Sequence, residues 1–460
     1  MLSTEDNDLL TRAGRGTPGG ELFRRFWIPV LLSRELPEPD SAPKRIRVLG
    51  EDLMAIRLTD GRPAVVARRC PHRGADLFFG RNEQQGIRCA FHGWKFDASG
   101  QCVDMPNVER NANYEQICAR MRITAYPARD WGDLVWVYMG PAERMPDLPE
   151  MEFATVPASH RYVSKKYHVC NWAQTCEGGL DTAHFSFLHS PVGDEEENRP
   201  GIERLTKGYA KGSMNADRLR WIRADGVPRF SIVEHEVGMA IGGSRHADPG
   251  ERYWRVSQFL LPSHFYAPNT VAGENYHGQT SIPIDDDSCW VYCYTWNPDR
   301  PLSAEEVASF EQGAVVHAET DGEGFPVRNR SNDYQIDRVE QKYRSYTGIT
   351  GISEQDQCIQ ESQGTIADRT DENLVATDAG VVRFRRIFLD QVRALMHGEE
   401  PPAASCPLGY RVRSGSHVAA DDLPFAEVMM QRFGDPAGRI PDPLNEEVID
   451  DAENRASLAR

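Results

Sequence analysis

The sequence predicts an α+β chain: an all-β domain at its N-terminal end, then a larger domain whose curved antiparallel sheet surrounds a pocket under one long helix. Three observations carry this. Short strand-like runs separated by turn signals fill the region from Leu22 to Gly140. A mixed pattern follows between 160 and 400, with strand candidates RFSIVEHEVGMA, YWRVSQFLLP and SCWVYCYTW. Val381, Phe384, Phe388, Val392 and Leu395 then recur at steps of three and four, one buried face of a helix from about Gly380 to His397.

Residues 1–20 are polar, end in GRGTPGG and are expected to form a flexible lead-in. LFRRFWIPVLL begins the first folded unit, and RIRVLG, LMAIRLTDGRP and AVVARR continue it, with Asp60-Gly61 as a hairpin turn. ITAYPARDWG and DLVWVYMG close it. The Pro-rich run MPDLPEME reads as a linker, giving expected domains of 1–150 and 151–400. From Glu399 the chain turns Pro-rich and acidic, so 401–460 is expected to be an extended arm or tail.

Composition narrows the function. The chain has 460 residues, 40% hydrophobic and 26% charged, with nine Trp and fifteen Tyr, as in ordinary globular proteins. A net charge of −17 offers no global basic field for nucleic acid, while one or two local arginines suffice for a small anion. No run approaches a membrane span, and MLSTEDNDLL lacks a signal-peptide pattern, which leads to the expectation of a cytoplasmic protein. The ten cysteines then read as free thiols or metal ligands rather than disulfides.

Two of those cysteines stand out. CPHRGADLFFG and CAFHGWKFDASG place Cys70, His72, Cys89 and His92 as C-x-H, sixteen residues, then C-x2-H. Chance proximity is one reading, a structural zinc site a second. Zinc fingers, however, usually run C-x2–4-C then H-x3–5-H. Here each Gly-containing loop supplies one Cys and one His, which suits a Rieske 2Fe–2S centre with two thiolates on one iron and two imidazoles on the other.

The stretch NWAQTCEGGLDTAHFSFLH gathers Glu177, Asp181, His184 and His189 within thirteen residues. Core or hydrogen-bonding histidines are the plain reading. On a regular helix His184 and His189 lie about 140° apart, so for both to reach one metal the helix must distort or end between them. With a distant carboxylate, two histidines would make the facial triad of non-haem Fe(II) oxygenases. Carboxylates available downstream are Glu354, Asp356, Glu361 and Asp368.

These motifs resemble the Rieske non-haem iron oxygenases, specifically the terminal oxygenase (α) subunit of aromatic-ring hydroxylating systems, in its phthalate-dioxygenase-like branch. The resemblance covers residues 20–400 and implies a helix-grip catalytic fold. It implies that Cys70, His72, Cys89 and His92 bind the cluster and that His184 and His189 bind mononuclear Fe(II). EQDQCIQESQG resembles the family's late ligand motif, in which an Asp precedes a helix; that makes Asp356 the third ligand, though a plain helix N-terminal carboxylate fits the residues equally. Asp181 becomes a bridge between His184 and His92 of the partner subunit in a ring-shaped homotrimer. Glu177 either tunes that catalytic network or makes a structural hydrogen bond. Electrons would come from NAD(P)H through a separate reductase, of flavin plus ferredoxin type, to activate O2 beside an aromatic substrate. The branch suggests an aromatic carboxylate, with Arg245, Arg252 and Arg255 as candidates to bind it. An O-demethylase or monooxygenase of a methoxylated aromatic acid uses the same metals; a Rieske-type electron carrier would need only the first 150 residues.

Overall fold

A computed structural model describes residues 1–192, 216–268, 274–432 and 445–449. It divides into two compact units, one of residues 13–146 and one of residues 1–12 with 147–460.

The smaller unit consists of three antiparallel sheets. Glu51–Arg57 and Pro63–Ala67 form the hairpin turned by Asp60 and Gly61, with Gly61 at φ +87. A second small sheet runs Arg81–Glu83, Gly86–Arg88, Lys95–Asp97, Cys102–Asp104. Trp27–Leu32, Ala128–Trp131 and Leu134–Tyr138 make the third. Apolar residues alternate inward, so Met54, Ile56, Val66, Leu77, Ile87 and Phe96 form one core with Cys70 and Cys89 at its edge.

The larger unit is built on a nine-stranded antiparallel sheet. Its path runs Arg161–His168, Cys289–Trp296, Tyr276–Pro283, His264–Tyr266, Glu251–Leu260, Gly238–His246, Arg229–His235, Asn445–Ile449. The long helix is Ala379–Met396, with Val381, Phe384, Phe388 and Val392 buried and Leu395 half-buried near its end. Phe384 meets Phe259 of the sheet edge-to-face at 4.8 Å. Between helix and sheet lies the helix Trp172–Leu180, capped by Asn171, which accepts from the Ala173 amide. Trp172 packs against Phe388 at 4.8 Å. Gly179 is required there, since a Cβ would fall 2.2 Å from the Phe265 ring.

Both chain ends depart from expectation. The first twelve residues are no flexible lead-in: Thr4–Thr11 is a helix with buried Leu10 and Thr11, and Asn171 Nδ2 donates to the Thr11 carbonyl at 2.9 Å. The segment after 400 is not an extended arm over its described length. Gly415–Ala420 pairs with Glu251–Leu260, and Phe425 stacks on Trp254 at 5.1 Å. Apolar residues spaced too sparsely to predict a core element are buried here by the sheet edge they meet. Residues 433–444 and 450–460 of the expected tail lie outside the described residues. Among the described residues no helix is long and apolar enough to cross a membrane.

Candidate metal centres

The two Cys–His loops have the same local construction. In each, a glycine four residues after the cysteine donates its amide to that cysteine's carbonyl, Gly74 to Cys70 at 2.8 Å and Gly93 to Cys89 at 3.0 Å. Both glycines sit in the left-handed region, at φ +74 and φ +76, where a Cβ is penalised. The tight turns bring the side chains together. The His72 and His92 rings lie 4.5 Å apart, and His72 stacks on Trp94 at 4.4 Å. Cys70 and Cys89 are buried side by side; burial, then the neighbouring Cys89 sulfur, pushes the Cys70 thiol up to about 11. Nδ1 of His92 is buried with no hydrogen-bond partner among the described residues. Two crowded thiols and two crowded imidazoles supplied by matching loops fit an iron–sulfur group and leave a simple core packing role unexplained.

The second centre forms where the helix Trp172–Leu180 stops. It ends before either histidine, with Asp181 as its C-cap, and His184 opens a separate 3-10 turn, His184–Ser186. That break removes the angular mismatch. Nε2 of His184 and of His189 come to 3.1 Å, and Asp356 Oδ1 lies 3.5 Å and 3.1 Å from them. Asp356 does not precede its helix but lies inside Ile352–Ser362, where the second turn faces the histidines.

The outer nitrogens decide what the inner ones can do. His184 Nδ1 lies 3.4 Å from Asp181 Oδ2, and His189 Nδ1 donates to Gln355 Oε1 at 2.7 Å. Gln355 is itself fixed, donating to the Ile349 carbonyl at 2.8 Å. With protons on both Nδ1 atoms, two Nε2 lone pairs and a carboxylate converge within 4.8 Å, an arrangement that a cation satisfies. Burial opposes charge on Asp181 and His184, but their hydrogen bond and attraction prevail, holding the Asp181 carboxyl low and the His184 imidazole high. A bound metal takes the place of such a proton.

The other downstream carboxylates go elsewhere. Glu354 meets Arg328 at 3.3 Å, and Glu361 accepts from Val169 N and Gln357 Nε2. Asp368 is consumed by the Thr370 amide and hydroxyl.

Glu177 requires correction as a catalytic candidate. Its carboxylate accepts from Arg369 at 2.8 and 3.0 Å and from Arg385 at 2.7 Å, and Arg385 also binds Glu372. It is the hub of a buried ion cluster tying helix Trp172–Leu180 to helix Ala379–Met396 and the loop before that second helix. Glu177→Gln should lower stability by about 3–5 kcal/mol while turnover per bound iron stays near wild type; a stable variant with lost turnover per iron contradicts the structural role.

The three arginines separate by strand geometry. Arg245 and Arg255 lie on one face of neighbouring strands, at 0% and 1% exposure. Arg252 points to the opposite face and pairs with Asp421 at 3.3 Å, which removes it as a substrate residue. Arg245 donates to the Thr182 carbonyl at 3.0 Å, and Arg255 Nε to Thr182 Oγ1 at 3.0 Å, between Asp181 and His184 in sequence. Arg245 Nη1 has no hydrogen-bond partner among the described residues. Thr182 and Gln355 escaped sequence reasoning because neither titrates; only adjacency to Asp181 and Asp356 marked them.

Comparison with known proteins points to one family. Residues 26–121 match the model of the Rieske [2Fe-2S] domain, and residues 137–407, more than half of the chain, match that of the LigXa C-terminal domain like family. The chain is 37% identical to the phthalate 4,5-dioxygenase oxygenase subunit of Pseudomonas putida, over 87% of this chain and 88% of that one. It is 34% identical to the 3-chlorobenzoate-3,4-dioxygenase oxygenase subunit of Comamonas testosteroni, over 94% and 99%. The 5,5'-dehydrodivanillate O-demethylase oxygenase subunit of Sphingobium is 30% identical over 88% and 83%. Among solved structures, Pseudomonas putida CBB5 NdmA with caffeine shares the fold at TM-score 0.56 and 16% identity, over 88% of this chain and 100% of that one.

Proposed function

Since the chain belongs to the Rieske non-haem iron oxygenases, as an oxygenase subunit supplied with electrons by a separate reductase, we propose that it hydroxylates an aromatic carboxylate held by Arg245 and Arg255. Cys70, Cys89, His72 and His92 hold the 2Fe–2S cluster, and His184, His189 and Asp356 hold the mononuclear iron. When bound, these groups supply single electrons and O2 activation.

The chain's own residues do the rest. Asp181 and Gln355 fix the tautomers of His184 and His189, keeping both Nε2 lone pairs directed inward. Phe185 lies under the Arg255 guanidinium at 4.2 Å and orients it. The observation that carries the substrate class is the arginine pair: two buried guanidiniums, both hydrogen-bonded to Thr182 within the metal-site turn, stand close enough to repel each other. Desolvation and the neighbouring Arg255 already press the Arg245 guanidinium down to about 10. A carboxylate relieves both, and its ring is then positioned beside the iron. The relatives named for phthalate and 3-chlorobenzoate support an acid substrate.

Arg255→Met is expected to raise KM for an aromatic acid by about 10–100-fold with little change for its uncharged amide. Equal effects on acid and amide would eliminate the carboxylate site. Oxidative O-demethylation of a methoxylated aromatic acid is a second reading favoured by the O-demethylase relative. Product analysis separates the two, formaldehyde marking demethylation and a cis-diol marking dihydroxylation. A carrier role does not account for the family match over 137–407. Assembly as a homotrimer, with Asp181 joining His184 to His92 of the partner subunit, completes the reading and brings a cluster to each iron.

A further inference from the structure

Lys166 is a buried cation that the reading above leaves without a task. It lies on the strand Arg161–His168 at 3% exposure. Its ammonium donates to the Val316 carbonyl at 3.1 Å and to Ser353 Oγ at 2.5 Å. Among the described residues no carboxylate lies within ion-pair distance, since Glu354, nearby on the same helix, is held by Arg328.

Two effects oppose a charge there. Removal from water disfavours it. Ser353 is in the first turn of Ile352–Ser362, and the amino end of a helix repels cations. Carboxylates of the same helix favour it, Glu354 next to Ser353 and Asp356 one turn on. Asp356 stands three residues beyond Ser353 on the same helix face.

We propose that Lys166 is a positioning residue whose buried charge biases iron held by His184, His189 and Asp356 toward the ferrous state. This rests on those three residues being the ligands. The couple is Fe(III) plus one electron to Fe(II), the electron arriving from the reductase through the cluster, with no bond made or broken. A fixed positive charge beside the site disfavours the more highly charged ferric partner. It also draws electron density from the Asp356 carboxylate, which acts in the same direction.

The test is an anaerobic reductive titration of the holoenzyme, reading the ferric signal of the mononuclear iron by electron paramagnetic resonance, with the Rieske cluster as internal reference. Lys166→Gln keeps N–H donors for Ser353 and Val316 but loses the charge; Lys166→Met loses both. Both variants are expected to lower the ferrous-to-ferric ratio at a fixed potential about tenfold, which is 59 mV for one electron, with the cluster midpoint unmoved. A shift in Lys166→Met but not in Lys166→Gln assigns Lys166 to hydrogen bonding alone and overturns the inference. Should the methionine variant not fold, the glutamine variant alone decides. A His184→Ala control separates the two levels: a ferric signal surviving in it refutes the ligand assignment, whereas its loss there with no shift in Lys166→Gln refutes only the role of Lys166.

Discussion

Asp356→Ala is expected to yield a folded protein that keeps its cluster, loses its mononuclear iron and turns over at least about a hundredfold more slowly, beyond the 10–100-fold typical of removing a mere supporting contact. Iron content should fall from about three atoms per chain to about two. The reason is geometric. His184 and His189 present two nitrogens 3.1 Å apart, and Asp356 Oδ1 is the anionic donor that closes the triangle. Glu354, Glu361 and Asp368 are held by other partners. Full iron occupancy with normal turnover in this variant would show that the convergence of these three side chains is a hydrogen-bonding arrangement only. Asp356→Glu sharpens the test, because it retains the charge with the oxygen displaced by one methylene.

Asp181→Asn is expected to keep the cluster and the mononuclear iron yet lose most turnover, on the order of a hundredfold. Asparagine fills the same space and still accepts the Ala183 amide, now made to Asp181 Oδ1 at 2.7 Å. It no longer supplies an anion to His184 Nδ1, so the ligand becomes less basic and the proposed route toward His92 of the partner subunit loses its charged member. Rapid-mixing measurement of cluster reoxidation should show the electron leaving the reduced cluster more slowly, with iron content unchanged. Steady-state activity within twofold of wild type would remove Asp181 from the electron route and leave it as the C-cap of Trp172–Leu180.

Much of the molecule was legible because its signals are local. The Cys–His loops need only a glycine in the left-handed region and one amide-to-carbonyl bond each, both encoded within five residues. The covering helix announced itself by its apolar stripe, since a single face must be buried whatever lies opposite. The break in the 171–189 segment followed from the five-residue spacing, although its position ahead of His184 did not, because the 3-10 turn is set by contacts of Asp181 with the Ala183 amide and His184.

What stayed hidden depends on residues brought together from far apart. Glu177 looked like a member of the metal network because it lies one turn before Asp181; Arg369 and Arg385, about two hundred residues away, claim it instead. Arg252 and Arg255 look alike in sequence, and only the pleat puts one on Asp421 and the other on Thr182. Sparse apolar residues at 410–428 gave no periodic signal, yet they bury themselves on the Glu251–Leu260 strand.

By itself, then, the sequence determined the chemistry: which donor atoms exist, in what local loops, and hence which metals they suit. Tertiary structure alone decided which carboxylate meets the two histidines beyond the end of helix 172–180, which arginines are buried beside them, and where Lys166 places its charge. The physical division is one of range. Ligand type and turn geometry are set by neighbours along the chain, whereas burial and convergence are set by the packing of strand 161–168 and helix 352–362 around that break.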